Sequence, residues 1–252
     1  MEVAVAKNSG IEWCDHTWNP WQGCHPVSEG CANCYMYREK KRYKQDPTKV
    51  VRSSKQTFNA PLKWKESAKV FTCSWSDFFI AEADQWRDEA MEIIAKTPHL
   101  TYLILTKRPE RMNKYFKNNF ILSNLWLGVT TENQKTADER IPILLSTPAA
   151  VRFVSVEPML EQIDLLQAQG LSKYVSGGGC SNLPLSTGVE SNGLDWVICG
   201  GETGYGAREM KAKWAWNLYN QCKAADVPFF FKKPGDAFQG GELPNIREYP
   251  EG

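Results

Sequence analysis

Apolar positions along the chain gather into two kinds of segment. Short, nearly continuous apolar runs, such as Leu103-Ile104-Leu105 and Trp196-Val197-Ile198, predict strands at 10–17, 70–75, 101–106, 125–130, 151–156, 195–199 and 228–231. Runs without a polar face suit strands covered on both sides, as in a parallel sheet with helices outside. Helical stretches at 32–43, 84–96, 109–115, 133–145 and 211–225 lie between them, with Asp84 placed as an N-cap and Pro109 in a first turn. Strand and helix alternate, which predicts an α/β fold of repeated βα units. Two stretches break the rhythm. Residues 46–62 are polar, and the glycine- and serine-rich stretch 160–193 reads as an insertion loop, either a lid or a surface excursion.

Composition narrows this picture. With 252 residues and 42% hydrophobic content, the chain is expected to form one domain over 1–252, a length at which α/β barrels are common. Thirty basic residues against 29 acidic ones leave a net charge of +1, so no global field draws it to nucleic acid or membrane. Residues 1–8 read as neither signal peptide nor anchor, and no run approaches the ~20 apolar residues of a membrane span. A cytoplasmic location is therefore expected, where eight cysteines argue for metal or chemistry rather than disulfides. Cys73, Cys180, Cys199 and Cys222 are scattered and read as small buried apolar residues.

In a parallel barrel the active site lies at the carboxyl ends of the strands. Each predicted strand there runs into polar residues: His16 to Asn19, Ser74 to Asp77, Thr106 to Arg108, Thr130 to Asn133, Ser155 to Glu157, Gly200 to Thr203, and Lys232 to Asp236. Glu157 and Lys107 stand out because each follows an unbroken apolar run, and a charge leaving a buried sheet needs a partner or a ligand.

Three cysteines, Cys24, Cys31 and Cys34, are crowded into the loop after the first strand. Zinc would ask for a fourth ligand from His25, His16 or Cys14. Three thiolates on one loop, with no second Cys-x2-Cys or His-x3-His pair elsewhere, suit a cubane cluster with one iron left open.

The motifs Trp-Asn-Pro-x-x-Gly-Cys at 18–24, Gly-Cys-x-x-Cys-Tyr at 30–35, Leu-Thr-Lys-Arg-Pro at 105–109, Ser-Val-Glu-Pro at 155–158 and Gly-Gly-Glu-Thr-Gly at 200–204 carry a resemblance. With Ala207-Arg208 and Pro-Phe-Phe-Phe-Lys ending at Lys232, the chain resembles the phage and bacterial three-Cys-motif proteins, themselves similar to radical S-adenosylmethionine enzymes. That resemblance implies a partial (βα)6-type TIM-like barrel, with the cluster loop after the first strand. It implies a 4Fe–4S cluster on Cys24, Cys31 and Cys34, with S-adenosyl-L-methionine on the open iron and a 5′-deoxyadenosyl radical as product. It also implies a bacterial or phage-infected host cell and a three-Cys-motif partner protein. Two features depart from the superfamily's pattern. The spacing is Cys-x6-Cys-x2-Cys rather than Cys-x3-Cys-x2-Cys, and Gly-Gly-Glu follows the sixth strand rather than the second. The amino-group-binding place then falls to Asp77 with Ser74 and Ser76. Tyr35 takes the adenine's aromatic neighbour, Lys107, Arg108 and Arg208 suit a carboxylate or phosphate, and Glu157 and Glu202 suit the cofactor's ammonium or ribose hydroxyls.

The substrate expected on these grounds is a nucleotide or nucleic acid. Arg38, Lys40, Lys41, Arg42, Lys44, Lys49, Arg52 and Lys55, with Tyr35, Tyr37 and Tyr43, suit phosphate contact and stacking, or else a solvated helix face. Trp18, Trp21 and Trp75 are expected at the mouth, where they suit a flat base. Two other readings stand beside the radical enzyme. One is a metal-stapled barrel, with zinc or iron–sulfur, acting as a nucleic-acid or protein binding module. The other is a non-redox hydrolase with Glu157 and Glu202 as its acid–base pair.

Overall fold

The computed structural model describes residues 5–7, 9–117, 119, 121–166 and 193–250. Most of the predicted insertion, 167–192, and Cys180 with it, lies outside the described residues. The chain runs through β1 (Val5–Lys7), β2 (His16–Trp18), β3 (Trp21–Gln22), α1 (Tyr35–Arg42), β4 (Val51–Arg52) and α2 (Lys55–Phe58). A regular alternation follows: β5 (Ala68–Thr72), α3 (Asp84–Lys96), β6 (Leu100–Thr106), α4 (Pro109–Phe116), β7 (Leu125–Thr130), α5 (Gln134–Leu145) and β8 (Val151–Val156). β9 (Trp196–Cys199), α6 (Ala212–Ala224) and β10 (Phe229–Phe231) complete it.

Seven strands, β2 and β5 to β10, are parallel and neighbour one another in chain order, while β1 adds antiparallel to the outer edge of β2. Unbroken chain order is the winding of a barrel rather than of an open doubly wound sheet. The sheet curls. In a flat sheet β5 and β9 would stand about 19 Å apart. Yet the Trp13 ring lies 4.6 Å from Phe71 of β5 and 6.4 Å from Trp196 of β9. The result is a half-barrel, an α/β fold of the partial TIM-like kind.

Period-two alternation along each strand sorts its side chains onto the two faces. Phe71, Leu103, Trp126, Val151, Phe153, Trp196, Ile198 and Phe230 fill the concave interior, whereas Val70, Tyr102, Ile104, Leu127, Val154, Val197 and Phe229 join the core beneath the helices. Gly128 on β7 is small because the Phe153 ring crosses it, leaving 2.5 Å for a Cβ. Between β10 and the N-terminal edge, the C-terminal segment covers the gap. Arg247 bridges to Phe230 and pairs with Glu12, and the Tyr249 hydroxyl donates to the Glu12 carbonyl at 3.1 Å.

Several expectations need correction. The first strand is not 10–17 but His16–Trp18; residues 10–15 turn instead, and Trp13 inserts into the barrel. Asp84 does not cap α3; it is the helix's first residue, and its carboxylate accepts from Arg111 at 2.6 Å. Trp18 and Trp21 are not at the mouth. Both are fully buried in the outer core, donating their indole N–H groups to the Phe58 and Asp77 carbonyls at 3.1 and 3.2 Å. Pro109 opens α4 as expected, and Asn133, expected only as the first residue of a helix, is the N-cap of α5 with a reciprocal bond to Thr136. Cys73, Cys199 and Cys222 are buried as expected, and no disulfide forms among the described residues.

Candidate functional site

The carboxyl ends of the parallel strands open into a cavity of about 400 Å³. Its floor is apolar, made by Ile11, Trp13, Phe71 and Leu105. Its walls come from the ends of β5 to β10 and from the cysteine loop between β3 and α1. Of the expected site residues, Cys24, Cys31, Cys34, Tyr35, Ser74, Asp77, Lys107, Glu157 and Glu202 all line it. Arg208 does not line the cavity but lies behind the cysteine loop, against Glu29 and Glu202.

The cysteine loop is tied down from every side. At its start the Gly23 N–H donates to the Trp75 carbonyl at 3.0 Å, and Ser76 Oγ donates to the Gly23 carbonyl at 2.6 Å. The Tyr37 hydroxyl donates to the Cys24 carbonyl, and Arg108 Nη2 donates to the His25 carbonyl at 2.9 Å. In the middle, a single 3-10 turn, Glu29–Cys31, brings Ser28 Oγ within 2.6 Å of Glu132 Oε1, to which it donates. At its end Asn33 donates to Glu202 Oε2 at 2.9 Å and to the Gly206 carbonyl at 2.8 Å, while the Tyr35 hydroxyl donates to the Ser74 carbonyl.

Three buried carboxylates anchor these ties. Asp77 accepts from Arg108 (2.9 Å), Thr106 Oγ1 (2.7 Å), and the N–H groups of Lys107 (3.0 Å) and Phe79 (2.9 Å). Glu202 is gripped by Arg208 through Nε (2.9 Å), Nη2 (2.6 Å) and the main-chain N–H (2.8 Å). Glu132, wholly buried, pairs with Arg140 at 3.2 Å and Lys107 at 3.6 Å. Burial pushes Glu132 and Glu202 upward, but the cations and hydrogen bonds around each outweigh it and hold both carboxyls below their usual range. The expected partner for Lys107 is thus Glu132, and Glu157 finds Lys232 at 3.0 Å. Glu132 was legible only as part of the Thr130–Asn133 strand end, because its partners Ser28 and Arg140 come from opposite sides of it in sequence. A second clue lies in Gly30, where a Cβ would stand 2.6 Å from the Glu132 carboxyl carbon.

The three cysteines line the cavity together with His25, Pro26, Val27 and Asn33 of the same loop. Their polar neighbours are sparse: Arg108 Nη1 at 3.7 Å and the His25 carbonyl at 3.6 Å for Cys24, and Ser28 Oγ at 4.0 Å for Cys31. Burial, with the nearby Asp77 charge, pushes the Cys24 thiol up to about 11. His25, a candidate fourth zinc ligand, pairs with Glu82 at 2.6 Å, and Cys14 is buried in the barrel interior. Among the described residues, no three His, Cys, Asp or Glu side chains gather around one metal-ion position. In a 4Fe–4S cluster each thiolate takes its own iron, so the sulfurs need a shared wall rather than a common point. Cys24, Cys31 and Cys34, on one loop and lining one cavity, are of the donor type such a cluster takes.

The basic segment is not one solvated stripe. Arg38 donates to the Thr203 carbonyl at 2.6 Å, Arg52 pairs with Glu89 at 2.6 Å, and Lys40 is buried.

The DUF5131 family, described as proteins of unknown function, matches residues 8–245. The chain belongs to that family. The match runs from before β2 to beyond β10, so it takes in the cysteine loop and every strand end that lines the cavity. No curated protein and no solved structure matches the chain. No described helix of this DUF5131 chain is long and apolar enough to cross a membrane.

Proposed function

We propose that this DUF5131 chain is a radical S-adenosylmethionine-type enzyme, with a 4Fe–4S cluster on Cys24, Cys31 and Cys34 and a nucleotide or nucleic acid as substrate. One observation carries the reading: the three cysteines of a single braced loop line the cavity at the carboxyl ends of six of the seven parallel strands. Bound there, the cluster and S-adenosylmethionine would supply a 5′-deoxyadenosyl radical able to take a hydrogen atom from a substrate.

The chain's own residues do the rest by position and charge. Asp77, Glu132 and Glu202 hold the loop through Arg108, Ser28, Asn33 and Arg208, so the course of the chain that carries the thiols is fixed by its own side chains. Arg108 beside Cys24 offsets the negative charge that thiolates and sulfides bring. Lys232 and Lys233 line the cavity opposite the loop and suit a carboxylate or phosphate, while Lys232 also orients Glu157. Ile11, Trp13, Phe71 and Leu105 keep water from the floor, which protects a reactive intermediate. Tyr35, directly after Cys34, remains 43% exposed and offers a ring face to a purine.

The test is anaerobic reconstitution followed by electron paramagnetic resonance of the reduced protein, with and without S-adenosylmethionine. About four irons per chain, a spectrum altered by the cofactor, and release of 5′-deoxyadenosine are expected, all lost in Cys31→Ser. A colourless protein with stoichiometric zinc, or a spectrum indifferent to the cofactor, refutes the proposal.

A further inference from the structure

On the far side of the cysteine loop lies a second cavity, of about 410 Å³, between α1, residues 45–49 and the small β3–β4 sheet. Two of its lining side chains are more than nine-tenths buried and make no hydrogen bond, although the Asp46 charge acts on Lys40 from beyond ion-pair distance. Lys40 is 3% exposed, and its ammonium has no hydrogen bond or ion pair among the described residues. Gln22, on β3, is 9% exposed, and its side-chain amide likewise has none. Lys49 and Arg52 complete the cationic lining. The acid at the cavity is Asp46, whose carboxylate accepts from the Thr48 N–H at 2.8 Å and from Thr48 Oγ1 at 2.7 Å.

Lys40 sits one turn after Met36, on the buried face of α1. A leucine or methionine would fill that place with no charge to desolvate, and the Asp46 charge, too far for an ion pair, offsets only part of the cost of burying an ammonium that makes no hydrogen bond. An anion in the cavity removes the cost. Two lysines and an amide donor, against the single carboxylate of Asp46 that is bonded into its own turn, make a site for a compact oxyanion, while Arg52 at the rim is already paired with Glu89 at 2.6 Å.

We propose that this second cavity binds a phosphate group, held by the Lys40 ammonium, with Lys49 and the Gln22 amide around it. It stands independently of the reading given to the cysteines. It also lies close to them, since Gln22 is two residues from Cys24 and the intervening Gly23, at φ 93°, packs against the Lys49 backbone.

Titration calorimetry of the purified protein with inorganic phosphate, at low ionic strength, tests it. The wild type is expected to bind, Lys40→Met to bind roughly tenfold more weakly or not at all, and Lys135→Ala, an exposed cation on α5, to bind as the wild type does. Lys40→Met is also expected to melt no lower than the wild type, because it replaces a buried charge that makes no hydrogen bond by an apolar chain. Lys49→Ala, at an exposed position, supplies a second variant should Lys40→Met fail to fold, with a several-fold loss expected. Competition by a labelled single-stranded oligonucleotide identifies the phosphate as a backbone phosphodiester; competition by a mononucleotide alone identifies it as a free nucleotide's. No binding of phosphate by the wild type, or equal binding by Lys40→Met and Lys49→Ala, overturns the proposal.

Discussion

Gly30→Ala tests the idea that the cysteine loop is held by steric fit against a pinned carboxylate. The added Cβ would stand 2.6 Å from the Glu132 carboxyl carbon. Carbon atoms in ordinary contact sit at about 3.5–4.0 Å, so one partner must retreat by about 1 Å. Glu132 has little room to do so, being fully buried and bonded to Arg140 at 3.2 Å, Lys107 at 3.6 Å and Ser28 at 2.6 Å. Overpacking a buried contact costs about 1–3 kcal/mol. If the loop lifts instead, it forfeits the Ser28 bond to a charged acceptor, worth about 1.5–3 kcal/mol. The two are alternatives and the cheaper one is taken, so the loss is expected at about 1–3 kcal/mol, a fall in Tm of about 2–12 °C for a chain of this size. Differential scanning fluorimetry reads the first effect, and the rate of thiol modification at Cys31 and Cys34 reads the second. In a double-mutant cycle, Gly30→Ala and Glu132→Gln are expected to be clearly less than additive. An unchanged Tm with unchanged thiol reactivity would refute the reasoning, and so would full additivity.

Three further outcomes follow from the same ties. Because the folded-state carboxyls of Glu132 and Glu202 lie below their usual range, their stabilisation is complete above the unfolded value of about 4.3 and is lost as pH falls through the folded values. Tm measured against pH should therefore drop in that acid range, and Glu202→Gln should flatten the drop; a parallel curve for the variant would contradict it. Arg108→Lys keeps the charge but cannot reach Asp77 and the His25 carbonyl together, and urea denaturation should show a loss of about 2–3 kcal/mol, with the Thr106, Lys107 and Phe79 donors sparing Asp77 the full cost of a broken buried pair. Gly201→Ala would place a Cβ 2.5 Å from the Pro234 carbonyl carbon and 2.9 Å from the Gly235 nitrogen, main-chain atoms that cannot swing aside, so its Tm should fall further than that of Gly30→Ala.

The parallel strands were readable because burial on both faces leaves an unbroken apolar run, as in Leu103-Ile104-Leu105. Helix starts were readable where a residue acts locally, at Pro109 and Asn133. Short elements escaped for the opposite reason. β3 and β4 have two residues each, too few to show a period, and their pairing spans the whole cysteine loop and α1. Trp18 and Trp21 were misplaced at the mouth because an aromatic beside a functional loop gives no sign of which face it will turn to. Lys40 likewise looked like one charge in a basic run, and only the tertiary structure buries it, at a cavity shared with β3 and β4.

From the sequence alone followed the order of the elements, the gathering of polar residues at one end of the strands and the presence of three thiols on one loop. Those properties are local, set by side-chain period and chain connectivity. The tertiary structure decided what each charge does. Asn33 meets Glu202 across 169 positions, and Ser28 meets Glu132 across 104. Such pairings depend on strand register and on the curl of the sheet, which only the folded chain possesses. The same curl turns an ordinary run of charged loop residues into the frame of a cysteine-lined cavity.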